Sequence, residues 1–246
     1  MTTSYDNVRW HVPGGDVRKL SQAVFGAEHT LIAGTTGSGK SVLLNGIMRD
    51  FLRSYAPCEC ELLLIDPKLV ELDYLKRLPH CKGYADSSSS AASLLRTAVA
   101  EMQRRNQVTK QQHLRSYPGR ELFIVIDELH PLLISESAVD IKHSLTLLLT
   151  QARSARIHVI ACTQVPNRKT IPADIVSLFT MRIGLRCVDA IESRQIIGAK
   201  GCEMLPRYGK AIVRWNCDML SATIPMTDYS EVEDLVRYWT SYRCVA

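Results

Sequence analysis

The chain has 246 residues, of which 46% are hydrophobic and 22% are charged, a balance that excludes a disordered or fibrous protein and fits one filled globular domain. No apolar stretch approaches the roughly 20 residues that a membrane-spanning helix needs, and the start lacks a signal-peptide pattern, so we expect a cytoplasmic protein with no integral membrane segment. The net charge of +5 agrees with an acidic partner such as nucleic acid but does not by itself indicate one.

The first 28 residues are predicted to form an extension that precedes the main domain. Residues 12–16, Val-Pro-Gly-Gly-Asp, are a turn signal, because proline and glycine favour tight turns. We therefore predict a small hairpin within residues 1–28 and a single domain over residues 29–246.

Short apolar strands alternate with helix-forming segments along the rest of the chain, which predicts an α/β fold with a mainly parallel sheet flanked by helices. The predicted strands cover residues 30–33, 61–65, 122–126, 158–162 and 179–186, with a strand pair at 209–224. The predicted helices cover residues 40–54, 88–112, 137–156, 189–199 and 229–242, and the serines at 87–90 offer N-caps for the second. Polar residues follow the first four strands, and ligands of such sheets bind beyond the carboxyl ends of the strands.

A glycine-rich loop lies between the first predicted strand and the first predicted helix. It has the spacing of a Walker A phosphate loop, whose backbone N–H groups and following helix start bind phosphate oxygens. Lys40 is predicted to neutralise the β- and γ-phosphates of ATP, and Ser41 to supply a hydroxyl to Mg²⁺. The predicted nucleotide-binding residues are Gly34, Thr35, Thr36, Gly37, Ser38, Gly39, Lys40, Ser41 and Val42. The sequence therefore predicts a P-loop ATPase.

Two acidic residues end the third predicted strand and fit a Walker B motif, in which a buried strand delivers carboxylates to the nucleotide. Asp127 is predicted to hold Mg²⁺ through water, and Glu128 to orient and deprotonate the attacking water. Gln164 follows the next strand, where a polar side chain can sense the γ-phosphate or position water. Lys40, Glu128 and Gln164 are therefore candidate catalytic residues.

The eight cysteines are scattered through segments that also resemble buried strands, which indicates free thiols in a reducing compartment. Cys58, Cys60, His80 and Cys81 offer possible zinc ligands, but a C-x-C spacing is not that of the usual zinc knuckle. We therefore expect free cysteines and keep zinc as a minor alternative.

Six further motifs accompany the two Walker motifs. They are Leu-Ile-Asp-Pro-Lys at 64–68, Val-Glu-Leu at 70–72, Glu-Met-Gln-Arg-Arg at 101–105, Ala-Arg-Ser-Ala-Arg-Ile-His at 152–158, Ala-Cys-Thr-Gln at 161–164 and Glu-Ser-Arg at 192–194. From residue 29 to residue 209 the chain thus resembles the motor domain of the FtsK/SpoIIIE DNA translocases, part of the wider FtsK–HerA group of hexameric ATPases. Generic P-loop proteins share only the Walker motifs.

This resemblance implies a RecA-like motor domain that assembles into a ring, expected to be a homo-hexamer. Nucleotide would lie at subunit interfaces and double-stranded DNA in the central channel, so that ATP hydrolysis drives DNA movement. Such sites borrow an arginine from the neighbouring subunit to stabilise charge on the transferring phosphate. Arg194 matches the family's Ser-Arg motif and is the candidate, with Arg182 and Arg186 as alternatives.

The resemblance also implies a DNA-facing loop after the Thr-Gln motif, at residues 165–172. Arg168 and Lys169 in this loop are predicted to contact DNA phosphates without reading bases. The loop predicted after Walker B, residues 133–143, is a second candidate, with Lys142 and His143 as its basic residues.

The chain departs from the family's pattern at several points. Val165 stands where the family's Gln-Arg-Pro has arginine, and Leu-His-Pro at 129–131 replaces the more usual Phe-Ala-Asp. Family translocases commonly carry a membrane anchor, an additional domain and a winged-helix module, and we expect none of these three parts in the 246 residues. We therefore expect a minimal FtsK-like ATPase, of the kind that a mobile element or a phage encodes.

Two alternatives to a DNA translocase remain. The first is a related secretion or conjugation ATPase that moves protein or protein–DNA cargo, in which a protein-binding pocket would replace a basic pore. The second is a nucleotide-dependent structural or regulatory module with little turnover. The presence of Lys40, Asp127 and Glu128 argues against the second.

Overall fold

The structure, a computed structural model, describes residues 9–11, 17–164 and 171–242. The strands of this part are β1 (Arg9–His11), β2 (Val17–Lys19), β3 (His29–Ala33), β4 (Cys60–Ile65), β5 (Cys81–Ala85), β6 (Glu121–Ile126), β7 (Ile157–Thr163), β8 (Met181–Gly184), β9 (Lys210–Trp215) and β10 (Asp218–Thr223). The α-helices are α1 (Leu20–Gly26), α2 (Lys40–Ser54), α3 (Ser88–Gln111), α4 (Leu129–Leu133), α5 (Ala138–Gln151), α6 (Ala173–Leu178), α7 (Ala190–Ile197) and α8 (Tyr229–Ser241). Short 3₁₀ helices cover Asp73–Arg77 and Cys202–Met204.

Eight strands form one sheet in the order β10-β9-β8-β3-β7-β6-β4-β5. The strands from β8 to β5 in this order run parallel, whereas β9 pairs antiparallel with both β8 and β10. This arrangement confirms the predicted α/β fold with a mainly parallel sheet flanked by helices. Strand β3 lies between β7 and β8, so the loop that follows β3 leaves the sheet at its interior.

Each central strand contributes to two hydrophobic cores, because successive side chains of a strand point to opposite faces of the sheet. In β4, Leu62 and Leu64 pack into a core that includes α1, α2 and α8. Leu63 and Ile65 pack into a second core on the other face, which includes α3, α4, α5 and α6. Helices thus cover both faces, which is why residues 62–65 of this strand form a continuous apolar run and do not alternate with polar residues.

The segment before β3 contains both a strand pair and a helix. Strands β1 and β2 pair antiparallel, with Trp10 opposite Arg18, while the predicted turn at residues 12–16 lies outside the described residues. Helix α1 follows directly and buries Leu20 and Val24 in the first core. The division of the chain at residue 28 stays a prediction.

The boundaries of several elements differ from those predicted. Helix α5 ends at Gln151, because residues 152–156 form a turn in which Arg156 has a φ of 54°. Strand β5 was missed, since it is a partly exposed edge strand that contains Lys82 and Gly83 and therefore shows no apolar run. Helices α1, α4 and α6 were missed as well, because they are too short to show a helical period.

Two of the residues considered as zinc ligands, His80 and Cys81, have other partners. The Nε2 atom of His80 lies 3.0 Å from the Tyr55 carbonyl oxygen, and Cys81 donates to the Gly83 carbonyl at 3.4 Å. Within residues 9–11, 17–164 and 171–242, no group of three or more His, Cys, Asp or Glu side chains is placed to hold a metal ion. In the same part of the chain, no helix is long and apolar enough to cross a membrane.

A buried histidine starts the central strand. His29 is 2% exposed, and its Nδ1 atom accepts a hydrogen bond from the Val159 N–H at 3.2 Å. Burial, together with the nearby His158, lowers the pKa of His29 to about 3. In the folded protein this imidazole therefore stays neutral at any pH well above about 3.

We expect mild acid to destabilise the fold through His29. The unfolded chain takes up the proton as pH falls through about 6.5, whereas the folded chain does not until about pH 3. The free energy of unfolding should therefore fall by about 2 kcal/mol between about pH 7.5 and about pH 5 from this group alone. Chemical denaturation of the unchanged protein and of His29→Gln across this range measures the difference. Equal pH dependence of the two proteins would contradict the assignment.

Candidate functional site

The loop at residues 34–39 connects the carboxyl end of β3 to the first turn of α2. Gly37 and Gly39 have φ angles of 74° and 98°, in the left-handed region that favours glycine. A β-carbon on Gly34 would lie 2.7 Å from the Ser38 Oγ atom, so that position also requires glycine. The glycines of the motif therefore allow the chain to turn tightly, as a loop that wraps around an anion must.

The Lys40 side chain folds back and bonds to the backbone of this loop. Its ammonium donates to the carbonyl oxygens of Gly34 at 2.7 Å and Thr35 at 3.4 Å. Burial lowers the pKa of Lys40, while the Glu128 carboxylate opposes this shift. In the described part of the chain, the buried Oγ atom of Ser38 has no hydrogen-bond partner, and a buried hydroxyl without a partner indicates a place for a polar ligand.

Glu128 is held by contacts to both of its carboxylate oxygens and is only 3% exposed. Its Oε1 atom accepts the Gln164 N–H at 3.0 Å, and its Oε2 atom lies 3.2 Å from the Lys68 Nζ atom. The Gln164 side chain in turn accepts a hydrogen bond from the Thr36 hydroxyl at 3.1 Å. Gln164 therefore links the end of β7 both to the phosphate loop and to Glu128.

Ser41 and Asp127 meet the chemical needs of a Mg²⁺ ion, which prefers oxygen ligands. The Ser41 hydroxyl donates a hydrogen bond to the Glu71 carboxylate at 2.6 Å, which leaves the lone pairs of the Ser41 oxygen available to a cation. Burial, followed by the nearby Asp66 and Glu71, raises the pKa of Asp127 to about 7. A divalent cation would relieve the repulsion among these carboxylates, so the residues present fit Mg²⁺.

One cavity of about 760 Å³ joins these groups at the carboxyl edge of the sheet, a volume within the usual range for small-molecule sites. Its polar side consists of Thr36, Gly37, Ser38, Gly39, Lys40, Ser41, Lys68, Glu71, Asp127, Glu128 and Gln164. Its apolar side includes Val42, Tyr208, Ile224 and Met226. The structure therefore brings together most of the predicted nucleotide-binding and catalytic residues, whereas Gly34 and Thr35 lie at the base of the loop and do not line the cavity.

Two charged residues that line the cavity, Lys68 and Glu71, are not among the predicted site residues. Lys68 and Glu71 lie on the loop after β4, where the wholly buried Asp66 carboxylate accepts the N–H groups of Lys68, Val70 and Leu72 at 2.9–3.1 Å. The Asp-Pro-Lys motif directly after a buried strand was the available signal. It placed both residues at the ligand-binding edge, but their partners on α2 and after β6 are distant in sequence.

The candidate arginine, Arg194, does not line the cavity of its own chain. Arg194 is exposed on α7 and is not among the residues that line the cavity. Of the alternatives, Arg182 is half-buried, where burial and then Arg214 lower its pKa. Arg186 is exposed, and its carbonyl accepts the Thr35 N–H at 3.0 Å. The role of Arg194 stays a prediction, because it requires a neighbouring subunit.

The predicted DNA-contacting residues Arg168 and Lys169 lie outside the described residues. The second candidates, Lys142 and His143, are part of α5 and do not lie in a loop, because Ile141 buries one face of the helix there. The predicted contacts with DNA therefore stay predictions.

Comparison with known proteins identifies relatives over most of the chain. The model of the FtsK/SpoIIIE family matches residues 12–206. The DNA translocase FtsK of Staphylococcus aureus (strain Mu50) is 32% identical over 85% of this chain and 29% of that protein. The DNA translocase FtsK of Listeria monocytogenes serovar 1/2a is 33% identical over 85% of this chain and 30% of that protein. The chain thus spans less than a third of the length of these relatives.

Solved structures with this fold include a conjugation protein and a secretion ATPase. The pCW3 conjugation coupling protein TcpA superposes with a TM-score of 0.78 at 20% identity, covering 94% of this chain and 70% of that chain. The cytoplasmic domain of the type VII secretion ATPase EccC of Thermomonospora curvata has a TM-score of 0.75 at 22% identity, covering 96% of this chain and 31% of that chain. These similarities confirm the predicted RecA-like P-loop fold. The family model matches most of the chain and shows that it belongs to the FtsK/SpoIIIE family of P-loop ATPases.

Proposed function

We propose that this chain hydrolyses ATP to move double-stranded DNA through a ring of its own subunits, expected to be a hexamer in the cytoplasm. The observation that carries the proposal is that the phosphate loop, Asp127, Glu128 and Gln164 line one cavity at the carboxyl edge of a parallel sheet. Relatives named DNA translocases support DNA as the cargo.

The side chains of the cavity account for each part of the hydrolysis. The phosphates of ATP bind at the start of α2, where backbone N–H groups and Lys40 offset their charge. Ser41 and Asp127 would hold Mg²⁺, which would supply positive charge to offset that of the phosphates. Glu128 accepts a proton from water as the water oxygen bonds to the γ-phosphorus. The bond from that phosphorus to the bridging oxygen breaks, and its electron pair leaves on ADP.

A complete site requires two subunits in this proposal. Arg194 is exposed and does not line its own cavity, which suits a side chain that reaches the site of a neighbour. Its guanidinium would offset the charge that develops on the transferring phosphate. ATP turnover per subunit should therefore rise with protein concentration as rings assemble.

A second candidate function is that of a secretion or conjugation ATPase, with protein or a protein–DNA complex as cargo. It is favoured by the fold shared with a conjugation coupling protein and with a type VII secretion ATPase. The two candidates use the same nucleotide site and differ only in what passes through the ring, so an experiment on cargo separates them.

ATP turnover with and without linear duplex DNA tests the cargo. We expect duplex DNA to stimulate the unchanged protein and the stimulation to be lost when Arg168 and Lys169 are both replaced by Ala, because these residues contact phosphates in this proposal. DNA affinity of this variant should weaken evenly across sequences. The slope of log affinity against log salt should become shallower by about one unit per lost contact.

The matched control removes the same charge at the exposed residues Lys110 and Arg115, near the end of α3, and should keep the DNA stimulation. Full stimulation and an unchanged salt slope in the Arg168 and Lys169 variant would show that this loop does not hold DNA. An unchanged protein that neither binds DNA nor responds to it would favour the second candidate.

A further inference from the structure

The nucleotide cavity contains a cation that the hydrolysis described above does not use. Two lysines, Lys40 and Lys68, line the cavity among the described residues. The Lys68 ammonium lies 3.2 Å from the Glu128 Oε2 atom, and its side chain is 43% exposed, whereas Glu128 is almost fully buried. The proposed base is therefore paired with a half-exposed lysine that lines the same cavity.

The main chain of Lys68 is fixed much more firmly than its ammonium. Its N–H donates to the buried Asp66 carboxylate at 3.1 Å, and the same carboxylate accepts the N–H groups of Val70 and Leu72. The next residue, Leu69, holds a φ of 58°, which marks a tight turn at this point. A flexible four-carbon stem thus rises from a rigid base, so the charged tip can move while the loop stays in place.

The contact between Lys68 and Glu128 is suited to exchange. It joins one ammonium to one carboxylate oxygen, and water competes for the exposed ammonium although the carboxylate is buried. The other oxygen of Glu128 is held independently by the Gln164 N–H, so Glu128 keeps its position when the ammonium leaves.

We propose that Lys68 is a second phosphate-binding cation, whose ammonium leaves Glu128 for the γ-phosphate when ATP binds. The exchange frees the Glu128 oxygen to accept a proton from water only when a γ-phosphate is present. ADP lacks that phosphate and leaves the Lys68–Glu128 pair intact. This inference rests on the proposed nucleotide site and adds a residue that distinguishes ATP from ADP.

The affinities of the full chain for ATPγS and for ADP, measured by calorimetry with excess Mg²⁺, test the proposal. Lys68→Met should weaken ATPγS binding about tenfold or more, the scale of one charge-assisted hydrogen bond. ADP binding should not change. Lys68→Arg should keep most of the preference for ATPγS. The control Lys76→Met removes a lysine that pairs with Asp73 outside the cavity, and it should change neither affinity.

A second comparison separates phosphate binding from simple neutralisation of Glu128. If Lys68 only offsets the Glu128 charge, its removal would leave an unpaired Glu128 carboxylate that repels the γ-phosphate. Removal of Lys68 would then have no effect on ATPγS affinity when Glu128 is replaced by Gln. We expect Lys68→Met to weaken ATPγS binding to a similar degree in the Glu128→Gln background. Loss of the effect there, or equal changes in ATPγS and ADP affinity, would overturn the proposal.

The outcome is distinct from that of the cargo experiment. A protein that shows the Lys68-dependent preference for ATPγS but does not respond to DNA would support this inference and contradict the proposed translocation. An unchanged protein that binds neither nucleotide would overturn both.

Discussion

Lys40→Ala should abolish nucleotide binding at micromolar ATP, a loss of about a hundredfold or more, because the phosphates lose the cation at the start of α2. The side chain is enclosed by the loop that it would serve, with its ammonium bonded to the Gly34 and Thr35 carbonyls. No other cation lies inside this loop in the described part of the cavity, since Lys68 approaches from the loop after β4. Binding of a fluorescent ATP analogue measures the loss.

Two observations make this result interpretable. Lys110→Ala, an exposed change at the end of α3, should bind nucleotide like the unchanged protein. The thermal unfolding temperature of Lys40→Ala should stay close to that of the unchanged protein, because the lost bonds are two contacts to carbonyls that water can replace. Micromolar ATP binding by a folded Lys40→Ala protein would contradict the assignment of residues 34–41 as the phosphate loop.

Features that depend on neighbouring residues could be predicted from the sequence. Helix α2 covers the predicted residues 40–54, since a glycine-rich turn and an amphipathic pattern define both ends locally. Helix α3 begins where the serine run predicted it, with the Ser87 hydroxyl accepting the Ser90 N–H. The carboxylates at 127–128 could be placed at the cavity because the sheet is parallel, so that all of its central strands end at one edge.

Features that depend on distant contacts could not be predicted. Lys68 and Glu71 acquire their roles from Glu128 and Ser41, which reach the same cavity only through the order of strands in the sheet. A spacing rule cannot supply that order.

The Glu-Met-Gln-Arg-Arg motif at 101–105 shows the same limit. It carried the family resemblance, yet Arg105 is buried and bonds to the Glu101 carboxylate and to the Arg120 and Ala155 carbonyls. These contacts join α3 to the residues just before β6 and β7, which indicates a structural role. A motif that identifies a family therefore does not by itself identify a functional residue.

Arg194→Ala should leave ATP binding by the isolated subunit unchanged while lowering turnover of the assembled protein by a factor on the order of 10³ or more. The side chain is exposed on α7 and does not line its own cavity, so its removal leaves the phosphate loop, Ser41 and Asp127 intact. The lost charge matters only when the γ-phosphate is transferred. Steady-state turnover at concentrations that support assembly measures the loss, and Arg237→Ala, an exposed change on α8, is the matched control.

Mixing subunits distinguishes action on a neighbour from action within one chain. The Arg194→Ala subunit keeps an intact phosphate loop, and the Lys40→Ala subunit keeps the arginine, so an interface that combines them in the right order is complete. About a quarter of the interfaces in a random ring have this order, and turnover should recover toward that fraction if the interfaces act independently. Recovery requires that the two inactive proteins share a ring. Co-purification of one untagged variant with the other, tagged variant tests this requirement. If the mixed rings form and stay inactive, Arg194 does not act across the interface, and Arg186, the exposed alternative beside the phosphate loop, becomes the residue to replace.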